Sequence, residues 1–257
     1  MIQEEEEEEV INVMNQLNFS PLFDSGILST GNRYYLQYRD DYIISYCRKK
    51  YYYNHINDDI PLFVDNVWPG SLVLSDYLCE IYKDNKLLEG KRSIELGAGC
   101  ALPSLVLKRL GIEYSTITDY PAIGVIENIQ ELIEKNNLSN IFVKPHIWGS
   151  DVNELLLEQS KYDIVLVAEC LWKDTYSLHI DLLTSIYHLL SSDGCAYISF
   201  AHRPSFDKSH NKENDLEFFE HAKSMKLKEE KILSTKKYRD ALEEEFIVVH
   251  LYSLKHI

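Results

Sequence analysis

Apolar and polar positions alternate in blocks along most of this chain. From residue 92 onward, short apolar runs alternate with segments whose apolar residues recur at helical spacing. Short, continuously apolar runs are typical of strands that are buried on both faces. The predicted strands are 93–97, 115–119, 140–144, 162–168 and 195–201. The predicted helices are 102–110, 122–136, 151–159, 174–190 and 213–224. This alternation is typical of a mostly parallel, doubly wound α/β sheet.

The tail of the chain departs from the alternation. Residues 226–233 and 245–254 have the composition of two further strands, and too few residues separate them for a helix. Two such strands pair as an antiparallel hairpin. The sheet is therefore predicted to have seven strands, with one of them reversed.

The region before residue 91 is predicted to be an N-terminal extension of this core. Aromatic and β-branched residues dominate 33–39 and 42–47, which indicates a β-hairpin. The polar, tyrosine-rich stretch 49–57 is interpreted as a loop, and the apolar spacing over 71–82 predicts a helix. The predicted divisions are an acidic, disordered segment at 1–18, the extension at 19–90 and a ligand-binding core at 91–257.

A glycine turn follows the first strand of the core and indicates a ligand. Gly97 and Gly99 lie between that strand and the next helix, and without a Cβ they let the backbone turn tightly and approach a ligand. Asp119 ends the second strand, where an acidic side chain can accept hydrogen bonds from ribose hydroxyls. A nucleotide-type ligand is therefore expected, with a tight turn that binds nothing as the alternative.

Two cofactors are compatible with this turn. A dinucleotide site favours a third glycine at the sixth position of G-x-G-x-x-G, but Leu102 occupies that position and Pro103 follows. Proline is well tolerated in the first turn of a helix. Glu95, two residues before the first glycine, gives the E-L-G-x-G pattern typical of S-adenosylmethionine (SAM) sites. With the C-terminal hairpin, this pattern favours a SAM methyltransferase over a nicotinamide dehydrogenase.

Chemistry-bearing residues follow each of the five predicted strands between residues 93 and 201. The loops at the carboxyl ends of parallel strands converge on one edge of a sheet, where ligands bind. The residues after the five strands are Gly97–Gly99, Asp119–Pro121, Ile147–Gly149, Ala168–Trp172 and His202–Pro204. Trp68 precedes the helix that leads into the first of these strands. Each has a structural alternative when taken singly: Trp68 or Trp148 as core aromatics, Glu169 as an acid at a helix N-terminus, and His202 as a structural histidine.

Composition and charge narrow the classes of partner. The 257 residues are 45% hydrophobic, enough for a large core, without an apolar run long enough to span a bilayer. The formal net charge of −15 repels nucleic acid and attracts a basic partner. The chain has an acidic run near its N-terminus, Glu4–Glu9, whereas a secretory signal starts with basic residues followed by an apolar stretch. Five scattered cysteines favour reduced thiols over a disulfide framework or a zinc site, so a cytoplasmic, metal-free protein is expected.

Together these motifs resemble the family 16 lysine methyltransferases, a seven-β-strand group that modifies proteins of translation and folding. The resemblance is greatest to the fungal-type branch of protein N-terminal and lysine methyltransferases acting on translation elongation factor 1A, and it covers roughly residues 20–255. The motifs that carry it are Trp68 with Asp76–Leu78, Glu95–Gly99, Leu102–Ser104, Thr118–Pro121, Glu127–Asn128, Ile147–Gly149, His202–Pro204 and Leu216–Glu220.

The resemblance implies a Rossmann-like class I SAM-dependent methyltransferase fold with a defined cofactor site. The residues expected to contact SAM are Trp68, Glu95, Gly97, Ala98, Gly99, Asp119, Tyr120, Trp148 and Ala168. The product would be S-adenosylhomocysteine, and no metal is needed. The implied partner is a basic protein substrate, elongation factor 1A being the candidate, with neither nucleic acid nor a membrane involved. A monomer is expected.

Glu169 and Trp172 are the candidates for the catalytic site. The family has an acid, two residues and then Tyr or Phe after the fourth strand, whereas this chain has Glu169 and Trp172, with Ala168 where close relatives often have Ser. An amine must lose its proton before it accepts a methyl group, and the ordinary pKa of lysine is about 10.4. A desolvated aromatic channel lowers that pKa, and an acid at its mouth guides the cation.

The predicted function is that of a SAM-dependent protein N-methyltransferase acting on lysine and/or the N-terminal α-amine of a translation factor such as elongation factor 1A. A small-molecule N-methyltransferase of nicotinamide type is an alternative, because the same core serves both substrate classes. A binding module that retains SAM for its stability is an alternative of another class.

Overall fold

The computed structural model describes residues 27–29, 33–38, 42–47, 51–55, 58–62, 67–122, 124–156, 160–202, 212–239 and 246–257. The strands are β1 Ile27–Ser29, β2 Arg33–Tyr38, β3 Tyr42–Cys47, β4 Tyr51–His55, β5 Asp58–Leu62, β6 Arg92–Leu96, β7 Tyr114–Asp119, β8 Ile141–Pro145, β9 Tyr162–Ala168, β10 Leu190–Ala201, β11 Leu227–Arg239 and β12 Phe246–His256. The α-helices are α1 Pro69–Ile81, α2 Leu102–Arg109, α3 Val125–Lys135, α4 His179–Leu189 and α5 Lys212–Ser224. Short 3₁₀ helices lie at Asn85–Leu88, Asn153–Leu155 and Lys173–Leu178. The predicted acidic segment 1–18 and Arg203–Pro204 lie outside the described residues.

Seven strands form one mixed sheet in the order β11-β12-β10-β9-β6-β7-β8. Strands β6 to β10 pair in parallel, and β12 runs antiparallel to both of its neighbours. The predicted seven-stranded α/β sheet with a C-terminal antiparallel hairpin is thus confirmed. The chain order reverses between β6 and β9, and such a switch point opens a crevice at the carboxyl ends of the strands.

The apolar runs form strands because the sheet is covered on both faces. In β9, Val165 and Val167 pack with α4 and α5, whereas Ile164 and Leu166 pack with α1 and α2. A strand buried on both faces needs a continuous apolar run rather than an alternating one. Full burial of each such side chain contributes about 1.5–3 kcal/mol. This packing fixes where β9 ends, and therefore where its C-terminal loop lies.

The N-terminal hairpin is confirmed, since β2 and β3 pair antiparallel, with β1 added along the free edge of β2. The predicted loop at 49–57 is wrong over Tyr51–His55, which pairs antiparallel with Asp58–Leu62. Consecutive tyrosines are strong strand formers, and here that preference outweighs their polar groups.

Two predicted helices differ in the structure. Within 151–159, the described residues form only the 3₁₀ turn Asn153–Leu155, because Asp151 Oδ1 accepts from Asn153 N at 2.9 Å and competes with helix formation. The helix predicted at 174–190 begins instead as 3₁₀ and becomes α-helical at His179.

Among the described helices, none is long and apolar enough to cross a membrane.

Candidate functional site

The glycine turn after β6 lies directly beneath two other loops. Gly97 and Gly99 have φ of +64° and +52°, the left-handed region that favours glycine. A Cβ on Gly97 would lie 2.7 Å from Cys170 Sγ and 2.8 Å from Trp148 Cζ2. The loops that follow β6, β8 and β9 therefore meet at one point, as the sequence predicted for the carboxyl edge of the sheet.

Asp119 lies at the end of β7 with its carboxylate turned to this point. Its Oδ2 accepts a hydrogen bond from Gly99 N at 2.7 Å, and its Oδ1 accepts one from Tyr120 N at 2.6 Å. The residue is 5% exposed, and burial raises its pKa to about 6 although both backbone bonds lower it. A carboxylate has about four acceptor sites, so these two bonds leave capacity for further donors such as a diol.

Glu95 supports the turn from inside the protein. It is 1% exposed, and its Oε2 accepts from Ser104 N at 3.0 Å in the first turn of α2. Ala101 at the N-cap has no side-chain cap of its own, so Glu95 satisfies one of the unpaired N–H groups of this helix end. Burial raises the pKa of Glu95 to about 8, with Asp119 adding to the shift. These contacts are with α2, and direct contact with a cofactor stays a prediction.

The turn that carries Trp148 is held by residues that the sequence did not single out. Ser185 on α4 accepts from Gly149 N at 2.8 Å, and its hydroxyl lies 3.0 Å from His146 Nε2. His146 N in turn donates to the Asp119 carbonyl at 2.8 Å. Burial lowers the pKa of His146, which favours the neutral ring. The signal in the sequence was weak, because His146 and Ser185 are 39 residues apart.

Glu169 lies at the end of β9 and connects it to the start of α1. Its Oε1 accepts from Gly70 N at 2.6 Å, its N donates to Ser199 O at 2.7 Å, and Ser199 Oγ donates to Gly70 O at 2.9 Å. A Cβ on Gly70 would lie 2.7 Å from Glu169 Oε1. Trp68 is the N-cap residue of α1, so these bonds fix Trp68 and Glu169 relative to each other. The carboxylate also complements the positive end of the helix dipole.

The backbone of Glu169 has φ of +57°, which is uncommon for a residue other than glycine. Such a conformation costs roughly 1–3 kcal/mol and is concentrated at functional sites. Ala168, the residue before it, is 8% exposed and pairs with Ser199 on β10. The strained backbone therefore lies at the switch point, beside the last residue of a buried strand.

Trp172 and Cys170 follow in the same loop. Trp172 is half-buried at the start of a 3₁₀ helix, and its N donates to Thr175 Oγ1 at 3.2 Å. Burial raises the pKa of the Cys170 thiol well above its usual range, and Asp119, Glu95 and Glu169 add to that shift. The three predicted acids thus all act electrostatically on one buried thiol. Across the described residues, no group of three His, Cys, Asp or Glu side chains is arranged to hold a metal ion.

Known proteins match both the sequence and the fold. The model of a family described as lysine methyltransferase matches residues 62–225. The protein N-terminal and lysine N-methyltransferase EFM7 of Yarrowia lipolytica is 34% identical, over 72% of this chain and 72% of its own. The EFM7 protein of Candida albicans is 32% identical, over 67% of this chain and 68% of its own.

The comparison with solved structures agrees with the sequence matches. A solved structure of SMU.776 complexed with S-adenosylhomocysteine superposes with a TM-score of 0.54 at 13% identity, covering 88% of this chain and 57% of that one. At that identity the match supports the fold alone, which is the class I SAM methyltransferase fold that the strand order already indicated. With the family match and the two relatives, it follows that the chain belongs to the lysine methyltransferase family.

Proposed function

We propose that this protein is a SAM-dependent protein N-methyltransferase that modifies the N-terminal α-amine and/or a lysine of a translation factor such as elongation factor 1A. The relatives from Yarrowia lipolytica and Candida albicans are both named as protein N-terminal and lysine N-methyltransferases. The observation that carries the proposal is the buried carboxylate of Asp119, bonded to Gly99 N, beside a glycine turn covered by Trp148.

The residues at this edge of the sheet fit SAM. Asp119 has acceptor capacity for the two ribose hydroxyls, and the backbone of Gly97–Gly99 is open to close approach. Trp148, whose ring edge lies against Gly97, would line the adenine pocket, and Trp68 would cover the methionine or ribose side. When bound, SAM supplies an electrophilic methyl group on a sulfonium. Ala98, Tyr120 and Ala168 complete the proposed cofactor contacts.

Glu169 and Trp172 would receive the acceptor amine. Glu169 lies at the switch point, where its carboxylate already accepts one N–H, and a carboxylate can accept further donors from an ammonium group. Trp172, half-buried three residues later, would supply an aromatic face that attracts the cation and excludes water. Orientation of the amine toward the methyl group lowers the barrier by several kcal/mol in such sites.

The charge of the chain favours a basic protein as substrate. With a formal net charge of −15, the protein attracts cationic surfaces and accelerates their encounter. The names of the relatives favour a protein substrate over nicotinamide. The cytoplasmic location and the monomeric state stay predictions.

Transfer of tritiated methyl groups from SAM to elongation factor 1A and to nicotinamide, measured side by side, tests the proposal. We expect label on the protein, on its N-terminal residue and/or on a lysine, and none on nicotinamide. Label on nicotinamide alone would establish the small-molecule alternative. SAM binding without transfer to either acceptor would favour the binding module. Asp163→Asn is the matched control for substitution of Asp119. Asp163 also accepts a backbone N–H group, that of Arg92, but it lies at the end of β9 opposite the carboxyl edge of the sheet.

A further inference from the structure

Two residues of the loop after β9 occupy positions that their side chains do not favour. Glu169 has a positive φ of +57°. Trp172 is the N-cap residue of the 3₁₀ helix Lys173–Leu178, where Ser, Thr, Asp or Asn is preferred because a side-chain oxygen can accept from the first N–H groups. An indole only donates hydrogen bonds, so it cannot cap the helix in this way. Departures from local preference are concentrated at functional sites and depend on compensating contacts.

Thr175, three residues after Trp172, supplies the compensating contacts. Its Oγ1 accepts from Trp172 N at 3.2 Å, and its single hydroxyl proton is shared between Cys170 O at 2.7 Å and Trp172 O at 3.0 Å. The backbone N of Thr175 also donates to Trp172 O, at 3.1 Å. One side chain therefore ties both ends of the segment Cys170–Trp172 to the first turn of the 3₁₀ helix.

The 3₁₀ helix that carries Thr175 is itself held against α5. The hydroxyl of Tyr176 donates to Oε2 of Glu217 on α5. At the end of the 3₁₀ helix, the ring of His179 packs edge-on against Phe218, which is completely buried, with ring centroids 5.7 Å apart. Thr175 therefore connects the loop to an element whose own position is fixed by packing.

The part of the loop nearest the glycine turn has anchors of its own. Cys170 Sγ lies 3.5 Å from both Leu96 O and Ala168 O, and Leu171 is completely buried in the core. Trp172 is half-buried and lies at the outer end of the loop. Loss of the threonine hydroxyl should therefore release Trp172 without displacing the turn that is proposed to hold SAM.

We propose that Thr175 is a positioning residue for the acceptor amine, an inference that rests on the proposed function. Its hydroxyl holds the backbone of Trp172, and with it the indole, in the arrangement that receives the amine. An aromatic face attracts an ammonium group only within about 6 Å of the ring centroid, so a loop that moves weakens this attraction. A loop that is ordered before the substrate arrives lowers the cost of binding. Thr175 thus affects KM for the acceptor and leaves the affinity for SAM unchanged.

Removal and restoration of the hydroxyl test this role. Thr175→Val keeps the size of the side chain without the hydroxyl, Thr175→Ala removes the hydroxyl without any branch that could crowd the helix, and Thr175→Ser restores it. Thr184→Val is the matched control, because the Thr184 hydroxyl also donates to a backbone carbonyl, that of Ile180 at 2.8 Å, but on α4. The assay follows tritiated methyl transfer from SAM to elongation factor 1A, well below the lowest melting temperature of the set.

We expect KM for elongation factor 1A to rise about 10-fold in Thr175→Val and Thr175→Ala, the factor that corresponds to one hydrogen bond of about 1.4 kcal/mol. Thr175→Ser and Thr184→Val should stay within about 2-fold of the wild type. The Kd for SAM, measured by calorimetry, should be the same in all of these proteins. A purely structural cap would lower the melting temperature without this separation of KM from SAM affinity.

A spectroscopic measurement reports on Trp172 directly. The chain has three tryptophans, so ¹⁹F NMR of the protein labelled with 5-fluorotryptophan gives three resonances, of which Trp172→Phe identifies one. That resonance should broaden or divide in Thr175→Val, while the other two stay unchanged. Unchanged KM in Thr175→Val and Thr175→Ala, an equal loss in Thr175→Ser, or a SAM affinity that falls in parallel would overturn the role of Thr175 and leave the proposed function intact. Absence of transfer by the wild type would overturn both.

Discussion

The affinity for SAM should increase with pH between 5 and 7, and Asp119 should be the reason. Burial raises the pKa of this carboxyl to about 6 in the unliganded protein. Ribose hydroxyls that donate to the carboxylate favour its ionised form, so binding releases a proton wherever Asp119 is protonated beforehand. The affinity is then lowest on the acid side of the pKa.

The size of the effect follows from the ionised fraction. With a pKa of about 6, roughly a tenth of the Asp119 carboxyls are ionised at pH 5 and nine tenths at pH 7, so Kd should be about 10-fold weaker at pH 5, or about 1.4 kcal/mol. Glu95, with a pKa of about 8, is mostly protonated throughout this range. Its titration therefore contributes little between pH 5 and 7.

Isothermal titration calorimetry at the two pH values, in buffers of different ionisation enthalpy, measures both the affinity and the protons released. Asp119→Asn should bind SAM more weakly by a few kcal/mol, since two charge-assisted bonds are lost, and its Kd should not vary with pH. Asp163→Asn should keep the wild-type dependence. Equal Kd at both pH values in the wild type, or the same slope in Asp119→Asn, would refute the reasoning, and binding of NAD would favour a dehydrogenase.

Three other changes are informative. Ser185→Ala removes the hydroxyl that fixes the Trp148 turn, so unfolding in urea should show a loss of about 1–3 kcal/mol, and SAM should quench tryptophan fluorescence less; unchanged quenching would contradict this role. Glu169→Gln keeps an acceptor for Gly70 N, so SAM affinity should persist while kcat on a lysine acceptor falls about 10- to 100-fold; normal turnover would leave Glu169 as a helix cap alone. Glu95→Gln should stabilise the unliganded protein relative to the wild type increasingly from pH 5 to 8, by up to about 4 kcal/mol, because the native state holds a proton that the unfolded chain has lost. If the difference in melting temperature between Glu95→Gln and the wild type did not change with pH, the raised pKa of Glu95 would be contradicted.

Local patterns in the sequence were sufficient for the core of the fold and for part of the site. The glycine turn and Asp119 are 20 residues apart within one strand–helix–strand unit, so their common position at the carboxyl edge of the sheet could be anticipated, although the bond between them was not predicted. The number of strands and the antiparallel C-terminal hairpin followed from the alternation and the composition of the tail, whereas the order of the strands came from the structure. The resemblance to the lysine methyltransferase family, which rested on those same motifs, is confirmed.

Long-range contacts could not be anticipated in the same way. The bond from Gly70 N to Glu169 spans 99 residues, and nothing around either residue signals it. The pairing of His202 with Asp215 is closer in sequence, but it depends on how α5 packs against the sheet. The predicted helix at 151–159 failed for a local reason, since Asp151 bonds to the backbone of Asn153.

The central claim is that this chain transfers methyl groups to a protein from the edge of the sheet that carries Asp119. A cell extract freed of its own SAM by gel filtration, then incubated with tritiated SAM and the purified protein, tests it most directly. We expect a labelled protein band whose digest yields a methylated N-terminal residue and/or lysine, and no such band with Asp119→Ala. Absence of any labelled protein with the wild type, or equal labelling with Asp119→Ala, would contradict the claim.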